Sequence, residues 1–117
     1  MALRRFLHRL TESDEERLAA ELKAWADTVE GTVRIADAEP RSRVSLAGMV
    51  RRITVRPVEG FEALEVVLSD GTGEVTARWL GRRSIGGLAL GSRLKIEGVL
   101  GIEQGVKRVV NPTWEFV

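Results

Sequence analysis

The first thirty residues carry apolar side chains at the spacing of an α-helix. A first group recurs at i, i+3, i+4 and i+7 and comprises Leu3, Phe6, Leu7 and Leu10. A second group continues the helical spacing and comprises Leu18, Leu22, Trp25 and Val29. Between them, Ser13 with Glu16 three residues later has the pattern of a capping box, which predicts that a helix begins there. The spacing therefore predicts two short helices or one long bent helix within residues 1–30.

The hydrophobic period changes from 3.6 to 2 after Pro40, which indicates β-strands. Alternating apolar and polar residues predict five strands, at about 43–56, 64–69 and 75–80, then a fourth that contains Leu94 and Ile96, and a fifth at about 106–110. Gly48 interrupts the long first strand, where we expect a bulge or a bend. Residues 70–73, Asp-Gly-Thr-Gly, predict a tight hairpin turn, because glycine adopts the positive φ angles that such turns need. A further turn is predicted at 101–105, and the Asn-Pro pair at 111–112 is expected to end the last strand.

Five short strands with glycine-rich turns and no long helix between them favour a small closed barrel. We expect a helical extension at residues 1–34 and the barrel at residues 35–117. The connector at about 81–92 contains four glycines and is poor helix material, so it is not expected to close the barrel end. We expect the helix at 14–29 to cover that end with its apolar stripe, namely Leu18, Leu22 and Trp25.

The strand order and the sequence of several segments resemble the OB-fold. The segments that carry the resemblance are residues 67–80, 90–98 and 111–115. The first of them resembles the turn between strands two and three of nucleic-acid-binding OB domains. It is also similar to the wedge domain of RecG-type helicases, where an Arg precedes a pair of aromatic residues. Arg78 and Trp79 keep this pattern, whereas Leu80 stands in the place of the second aromatic residue.

The resemblance covers roughly residues 41–117 and implies a mainly β protein, a five-stranded OB-fold barrel with an N-terminal helical extension. It includes no part of a helicase motor. The whole chain, including residues 79–87, looks still closer to short stand-alone actinobacterial OB-fold proteins that are described only as nucleic-acid binders. The excess of Arg over Lys, 15 to 3, is typical of a GC-rich genome. In such barrels the ligand lies on the outer face of strands two and three.

The formal net charge of +1 conceals charge that is sorted by segment. Residues 1–40 carry a net charge of −3 and residues 41–117 a net charge of +4. Residues 41–58 and 75–96 contain no acid, and the intervening residues 59–74 contain no base. The small net charge argues against a histone-like coat protein, but this sorting leaves room for local basic surfaces.

Catalysis finds little support in the residues. The chain has no Cys and no Tyr, and its single His, His8, lies in a basic segment near the N-terminus. These counts exclude disulfides and the common zinc sites, and we expect no metal and no cofactor. No apolar run approaches the ~20 residues of a membrane span, and the first residues lack the apolar core of a secretory signal. The sequence therefore favours a cytoplasmic, non-enzymatic protein.

Binding of a nucleic-acid strand needs cations for phosphates and flat side chains on which bases stack. Arginine suits this task because its planar fork matches phosphate and also stacks. Phe61, which precedes strand two, is the candidate for stacking. The candidate binding residues are Arg51, Arg52, Arg56, Phe61, Arg78, Arg82, Arg83, Lys107 and Arg108.

The same residues also have an ordinary structural interpretation. Glu65 is expected to face outward on strand two, where it would pair with Arg51 or Arg52 on one side and with Arg78 on the other. Arg82 and Arg83 have no acid nearby in the sequence. Trp79 shares its parity with apolar residues, which favours a core position over a stacking surface.

Two functions follow from these patterns. The first is a non-enzymatic OB-fold module that binds single-stranded or branched DNA, or RNA, mainly through backbone contacts. The alternative is a protein–protein adaptor that uses the barrel together with the amphipathic segment 3–10 as a docking element. The sequence does not determine the oligomeric state.

Overall fold

One continuous helix precedes a barrel of short strands in the computed structural model. The structure describes residues 2–117, and it describes side chains from residue 13 onward. After the helix, the 3₁₀ turn Ile35–Asp37 leads into the strands. The elements are α1 (Ala2–Ala26), β1 (Arg43–Val58), β2 (Phe61–Ser69), β3 (Glu74–Leu80), β4 (Arg93–Glu103), β5 (Val106–Val110) and β6 (Thr113–Phe116).

The spacing allowed two short helices or one long helix, and the structure shows one continuous helix, α1. Ser13 lies inside α1, so the prediction that a capping box begins a second helix there is wrong. A capping pattern ends one helix and begins another only if the backbone leaves helical geometry, and here it does not. The predicted apolar stripe within residues 3–10, and its role as a docking element, concern side chains outside those that the structure describes.

The five strands β1 to β5 close into a ring in the order β1-β2-β3-β5-β4, and β4 pairs back to β1. The β3–β5 pair is parallel, and the other pairs are antiparallel. The predicted five-stranded barrel is therefore confirmed. Within the described residues, no helix combines the length and the hydrophobicity that crossing a bilayer requires.

The long strand β1 pairs with two neighbouring strands, one along each half of its length. Its first half pairs with β4 as far as Met49, and its second half pairs with β2. The register shifts between Val50 and Arg52, so the predicted bulge at Gly48 lies a few residues further on. Gly48 has a different role, because a Cβ there would lie 2.8 Å from Cβ of Leu68. The barrel walls approach too closely at this point for any side chain.

The end of the chain differs most from the predicted strands. The turn expected at 101–105 is shorter, because β4 continues to Glu103 and only Gln104 and Gly105 take the positive φ angles of the turn. The strand β6 was not predicted. Its four residues pair with β4 from Leu94 to Glu97, and this long-range pairing leaves little trace in so short a segment.

The core is formed by the inward-facing residues of all five barrel strands. Three residues from outside the strands are buried in the same cluster, namely Ile35 of the 3₁₀ turn, Ala38 directly after it and Ile85 of the 81–92 connector. The connector therefore contributes to the core through Ile85, contrary to the expectation that it takes no part in closing the barrel. Leu22 of α1 is buried, but it does not belong to this cluster.

Helix α1 packs instead against the predicted hairpin turn at residues 70–73. Gly71 has a φ of 84°, and a Cβ there would lie 2.0 Å from the carbonyl oxygen of Ala19. Asp70 is buried, and its carboxylate accepts hydrogen bonds from the backbone N–H of Thr72 at 2.9 Å and of Ile35 at 2.9 Å. The turn thus connects the barrel both to the helix and to the 3₁₀ turn. The division of the chain at residues 34 and 35 stays a prediction.

Candidate nucleic-acid interface

A groove of about 450 Å³ runs over the outer face of β1, β2, β3 and β5. It arises because residues that alternate with the core residues on each strand point away from the barrel interior. Its lining is polar and charged with two valines, and consists of Arg52, Thr54, Arg56, Glu65, Val67, Glu74, Thr76, Val106 and Arg108. Of the predicted binding residues, Arg52, Arg56 and Arg108 therefore line one surface.

Glu65 lies at the centre of this groove and is only 6% exposed. Its Oε1 accepts a hydrogen bond from Nη1 of Arg56 at 3.1 Å. Its Oε2 accepts one from Nε of Arg78 at 2.9 Å. The Nε atom of Arg108 lies 4.0 Å from the same Oε2. Three arginines from three strands thus converge on one carboxylate, and the expected pairing of Glu65 with Arg78 is present.

The partner of Glu65 on β1 differs from the prediction. Because the register between β1 and β2 shifts by one residue after Val50, Thr54 stands opposite Glu65. Arg56 reaches Glu65 from the next position on the same face. Arg51 points the other way, toward Glu15 of α1, at 3.7 Å. The expected pairing of Glu65 with Arg51 or Arg52 is therefore wrong.

The surroundings of Glu65 act on its pKa in opposite directions. Burial of the carboxylate by itself raises the pKa, but the hydrogen bond and the charge of Arg78, together with Arg56, outweigh that effect. The net pKa lies below the ordinary value of a glutamate. Glu65 is therefore ionised at neutral pH and partly neutralises the arginines around it.

Arg108 is held on two sides in this cluster. Its side chain is 14% exposed, and Nη1 donates a short hydrogen bond to Glu103. Its Nε atom is buried and has no hydrogen-bond partner among the described residues. The Nε–H is thus a buried donor without a hydrogen bond, 4.0 Å from the carboxylate of Glu65.

Lys107 does not extend the row of cations. Successive residues of a strand point to opposite faces, so Lys107 faces away from Arg108. Its Nζ donates to the carbonyl oxygens of Ile35 at 2.6 Å and of Ala38 at 3.1 Å. This contact binds carbonyls in and next to the 3₁₀ turn and places Lys107 outside the residues that line the groove.

Arg82 and Arg83 lie just beyond β3, where both are exposed. Nε of Arg83 lies 2.7 Å from Oε2 of Glu62, so this arginine does have an acidic neighbour. The pairing follows from the β2–β3 register, which brings Ala63 opposite Leu80. Among the side chains from residue 13 onward, Arg82 makes no ion pair.

The aromatic residues separate into core and surface. Trp79 is 5% exposed and donates from Nε1 to the carbonyl oxygen of Pro112 at 3.0 Å, which makes it a core residue. Phe61 is 66% exposed at the start of β2, on the outer face. Leu80 is also exposed on that face. Phe61 is therefore accessible for stacking, whereas Trp79 is not.

Some groove residues were missed at the sequence level. Thr54 lies between Arg52 and Arg56 on the same face of β1, and Thr76 precedes Arg78 by two residues on β3. Strand parity alone would have found both, since residues two apart share a face. Their hydroxyl groups add hydrogen-bond donors and acceptors to the cations. Among the described residues, no group of three His, Asp or Glu side chains is placed to hold a metal ion.

The closed ring of β1 to β5 with its parallel β3–β5 pair and outer groove defines an OB-fold, as the sequence predicted. The chain is similar to a structure of RecG bound to a three-way DNA junction (TM-score 0.61, 19% identity). That likeness covers 74% of this chain but only 12% of the RecG chain. No protein-family model and no curated protein matches the chain.

Two further solved structures share the fold. One is a replication factor A related protein from Methanobacterium thermoautotrophicum, with a TM-score of 0.61 and 18% identity over 75% of this chain and 92% of that one. The other is a replication protein A heterotrimer bound to ssDNA, with a TM-score of 0.52 and 16% identity over 79% of this chain and 70% of that one. At these identities the likeness establishes the fold.

Proposed function

We propose that this chain is a non-enzymatic, cytoplasmic module that binds single-stranded or branched nucleic acid in the groove, mainly through contacts to the backbone. The observation that carries the proposal is the convergence of Arg52, Arg56 and Arg108 on one open outer face of an OB barrel. Guanidinium groups bind phosphate in a forked geometry without reading the base. The similar structures of RecG and of replication protein A contain DNA, which supports the same class of ligand.

The groove favours moderate rather than strong binding. Glu65 and Glu74 line it beside the three arginines, so the local positive charge is small. Arg52 and Arg56 are exposed, whereas Arg78 is 13% exposed and already bonded to Glu65. The cations that remain accessible are therefore Arg52, Arg56 and, beyond β3, Arg82. Phe61 at the start of β2, outside the groove lining, supplies an exposed face on which one base can stack.

Fluorescence anisotropy with labelled oligo-dT, oligo-U and a forked duplex tests this function. The double variant Arg52→Ala/Arg56→Ala is expected to weaken binding at least tenfold at low salt, since each lost phosphate contact is worth about 1 kcal/mol. Arg43→Ala is the matched control. Arg43 lies on the first half of β1, outside the groove, and pairs with Glu97 of β4. Equal loss in the double variant and in the control would contradict the proposed site.

The alternative is a protein–protein adaptor that uses the barrel and the segment 3–10. One observation favours it: Arg78, Arg83 and Arg108 each already contact a glutamate of this chain. Absence of binding to all three oligonucleotides at low salt would select the adaptor. The affinities for oligo-dT and oligo-U are measured in the same assay, so their comparison also decides between DNA and RNA as the ligand.

A further inference from the structure

A second concavity of about 390 Å³ adjoins the groove on the outer face of β4 and β5. We call it the recess, and define it by Arg41, Val99, Gly101, Glu103, Arg108 and Val110. Val99 and Val110 are 57% and 48% exposed, so its walls are apolar and open to solvent. Arg108 lines both the groove and the recess, which makes the two surfaces continuous.

Gly101 lies in the recess, at a position where the fold itself does not require a glycine. Its φ lies outside the left-handed region, and a Cβ there would have only an ordinary contact, at 3.7 Å, with the carbonyl oxygen of Arg108. Gly98 on the same strand differs, since a Cβ there would lie 2.6 Å from Cγ1 of Val109. Glycine weakens a strand and often marks a bulge, a bend at a barrel corner, or the close approach of a ligand or another backbone, and at Gly101 no backbone atom approaches an added Cβ closer than 3.7 Å.

Two cations flank the recess. Arg41 has a φ of 64°, and its backbone N–H donates to the carbonyl oxygen of Leu100 at 2.7 Å, which fixes this arginine beside β4. Among the side chains from residue 13 onward, Arg41 makes no ion pair. Glu103 is the acid that lines the recess, and it is bonded to Arg108. The recess therefore combines apolar walls with an unpaired positive charge.

We propose that the recess binds one unstacked nucleobase of the strand that leaves the groove at Arg108, with Arg41 contacting the adjoining phosphate. The proposal rests on the proposed function, because the groove must deliver the strand. A nucleotide fits both features at once: its flat, weakly polar base meets the valines, and its anionic phosphate meets Arg41. The volume lies within the range of about 300–1,000 Å³ that small-molecule sites occupy.

The variant Gly101→Leu tests the recess by filling it. Gly86→Leu is the matched control, since Gly86 lies in the connector, lacks a positive φ and would have nothing within 4 Å of an added Cβ. We expect Gly101→Leu to weaken binding of oligo-dT about fivefold, which is near the lower end of the affinity loss that follows from removing one stacked base. The control is expected to bind like the wild type.

A series of oligonucleotides with one abasic nucleotide at successive positions identifies the base. In the wild type we expect one position where loss of the base weakens binding, and in Gly101→Leu that position is expected to lose its effect. If the wild type binds oligo-dT and Gly101→Leu binds it equally well, the recess proposal is overturned while the groove stands. If the wild type binds no oligonucleotide, the proposed function itself fails.

A second variant keeps the test valid if Gly101→Leu does not fold. Val110→Ser makes one apolar wall polar without filling the space, and Val33→Ser is its control, because Val33 is similarly exposed, at 49%, and lines neither surface. We expect Val110→Ser to weaken binding about threefold and to reduce the effect of the abasic nucleotide. Identical binding by both serine variants would contradict the proposal.

Discussion

Replacement of Glu65 by glutamine is expected to change stability and binding in opposite directions. The wild-type carboxylate is 6% exposed and accepts hydrogen bonds from Arg56 and Arg78. Removing one member of a buried ion pair costs about 3–5 kcal/mol, but glutamine keeps one carbonyl acceptor, so we expect a loss of about 2 kcal/mol. For a chain of this size that loss lowers Tm by roughly 8 °C.

The same substitution removes a negative charge from the centre of the groove. A phosphate bound in the groove lies on the solvent side of the buried carboxylate, so water screens their repulsion to about 1 kcal/mol, and we expect Glu65→Gln to tighten oligonucleotide binding roughly fivefold at low salt. Thermal unfolding followed by circular dichroism measures the first effect, and fluorescence anisotropy measures the second. Glu62→Gln is the matched control, since Glu62 pairs with the exposed Arg83 and is itself half exposed. The control is expected to change stability by less than about 0.5 kcal/mol.

The pH dependence gives an independent check on this cluster. Because the pKa of Glu65 is lowered in the folded state, its ionisation stabilises the fold above the ordinary glutamate pKa of 4.5. That contribution is lost as the pH falls through the lowered pKa. The difference in stability between the wild type and Glu65→Gln is therefore expected to shrink below about pH 4.5. Unchanged stability and unchanged affinity of Glu65→Gln at neutral pH would refute the role assigned to this carboxylate.

Two further substitutions test contacts around the barrel. Gly71→Ala places a Cβ 2.0 Å from the carbonyl oxygen of Ala19 and is therefore expected to displace α1. We expect a stability loss of about 1–3 kcal/mol and greater proteolysis within the helix. An unchanged cleavage pattern would contradict the packing of the helix on this turn. Lys107→Met removes the side-chain donor to the carbonyls of Ile35, Ala36 and Ala38, of which Ile35 keeps the backbone N–H of Ala38. It is expected to cost about 1–2 kcal/mol in chemical denaturation while leaving oligonucleotide affinity unchanged. Loss of affinity in Lys107→Met would return this lysine to the binding surface.

Local signals in the sequence were sufficient for most of the barrel. The turn at residues 70–73 is determined by glycine and by the Asp70 side chain, which bonds its own turn, so it was visible without any long-range information. The strands β1, β2, β3 and β5 alternate clearly enough to be recognised. The short β6 was not, because its existence depends on pairing with β4 across the barrel.

The candidate site could be predicted in composition but not in detail. Strand parity alone separates Lys107 from Arg108, and applying it would have removed the lysine from the site. The partner of Glu65 depends on the register shift after Val50, and a one-residue shift exchanges the faces of every following residue. The recess around Gly101 depends on the β4–β5 pairing, which includes residues 101–103, where the sequence predicted a turn.

The salt dependence of binding tests the central claim most directly. For single-stranded nucleic acid, the slope of log Kobs against log salt is about −0.7 for each phosphate that a cation neutralises. The accessible arginines, Arg52 and Arg56 in the groove and Arg82 beyond β3, therefore predict a slope of about −2. Arg52→Ala is expected to reduce that slope by about 0.7, whereas the control Arg43→Ala is expected to leave it unchanged. A slope near zero in the wild type, or an equal change in both variants, would contradict a nucleic-acid interface in this groove.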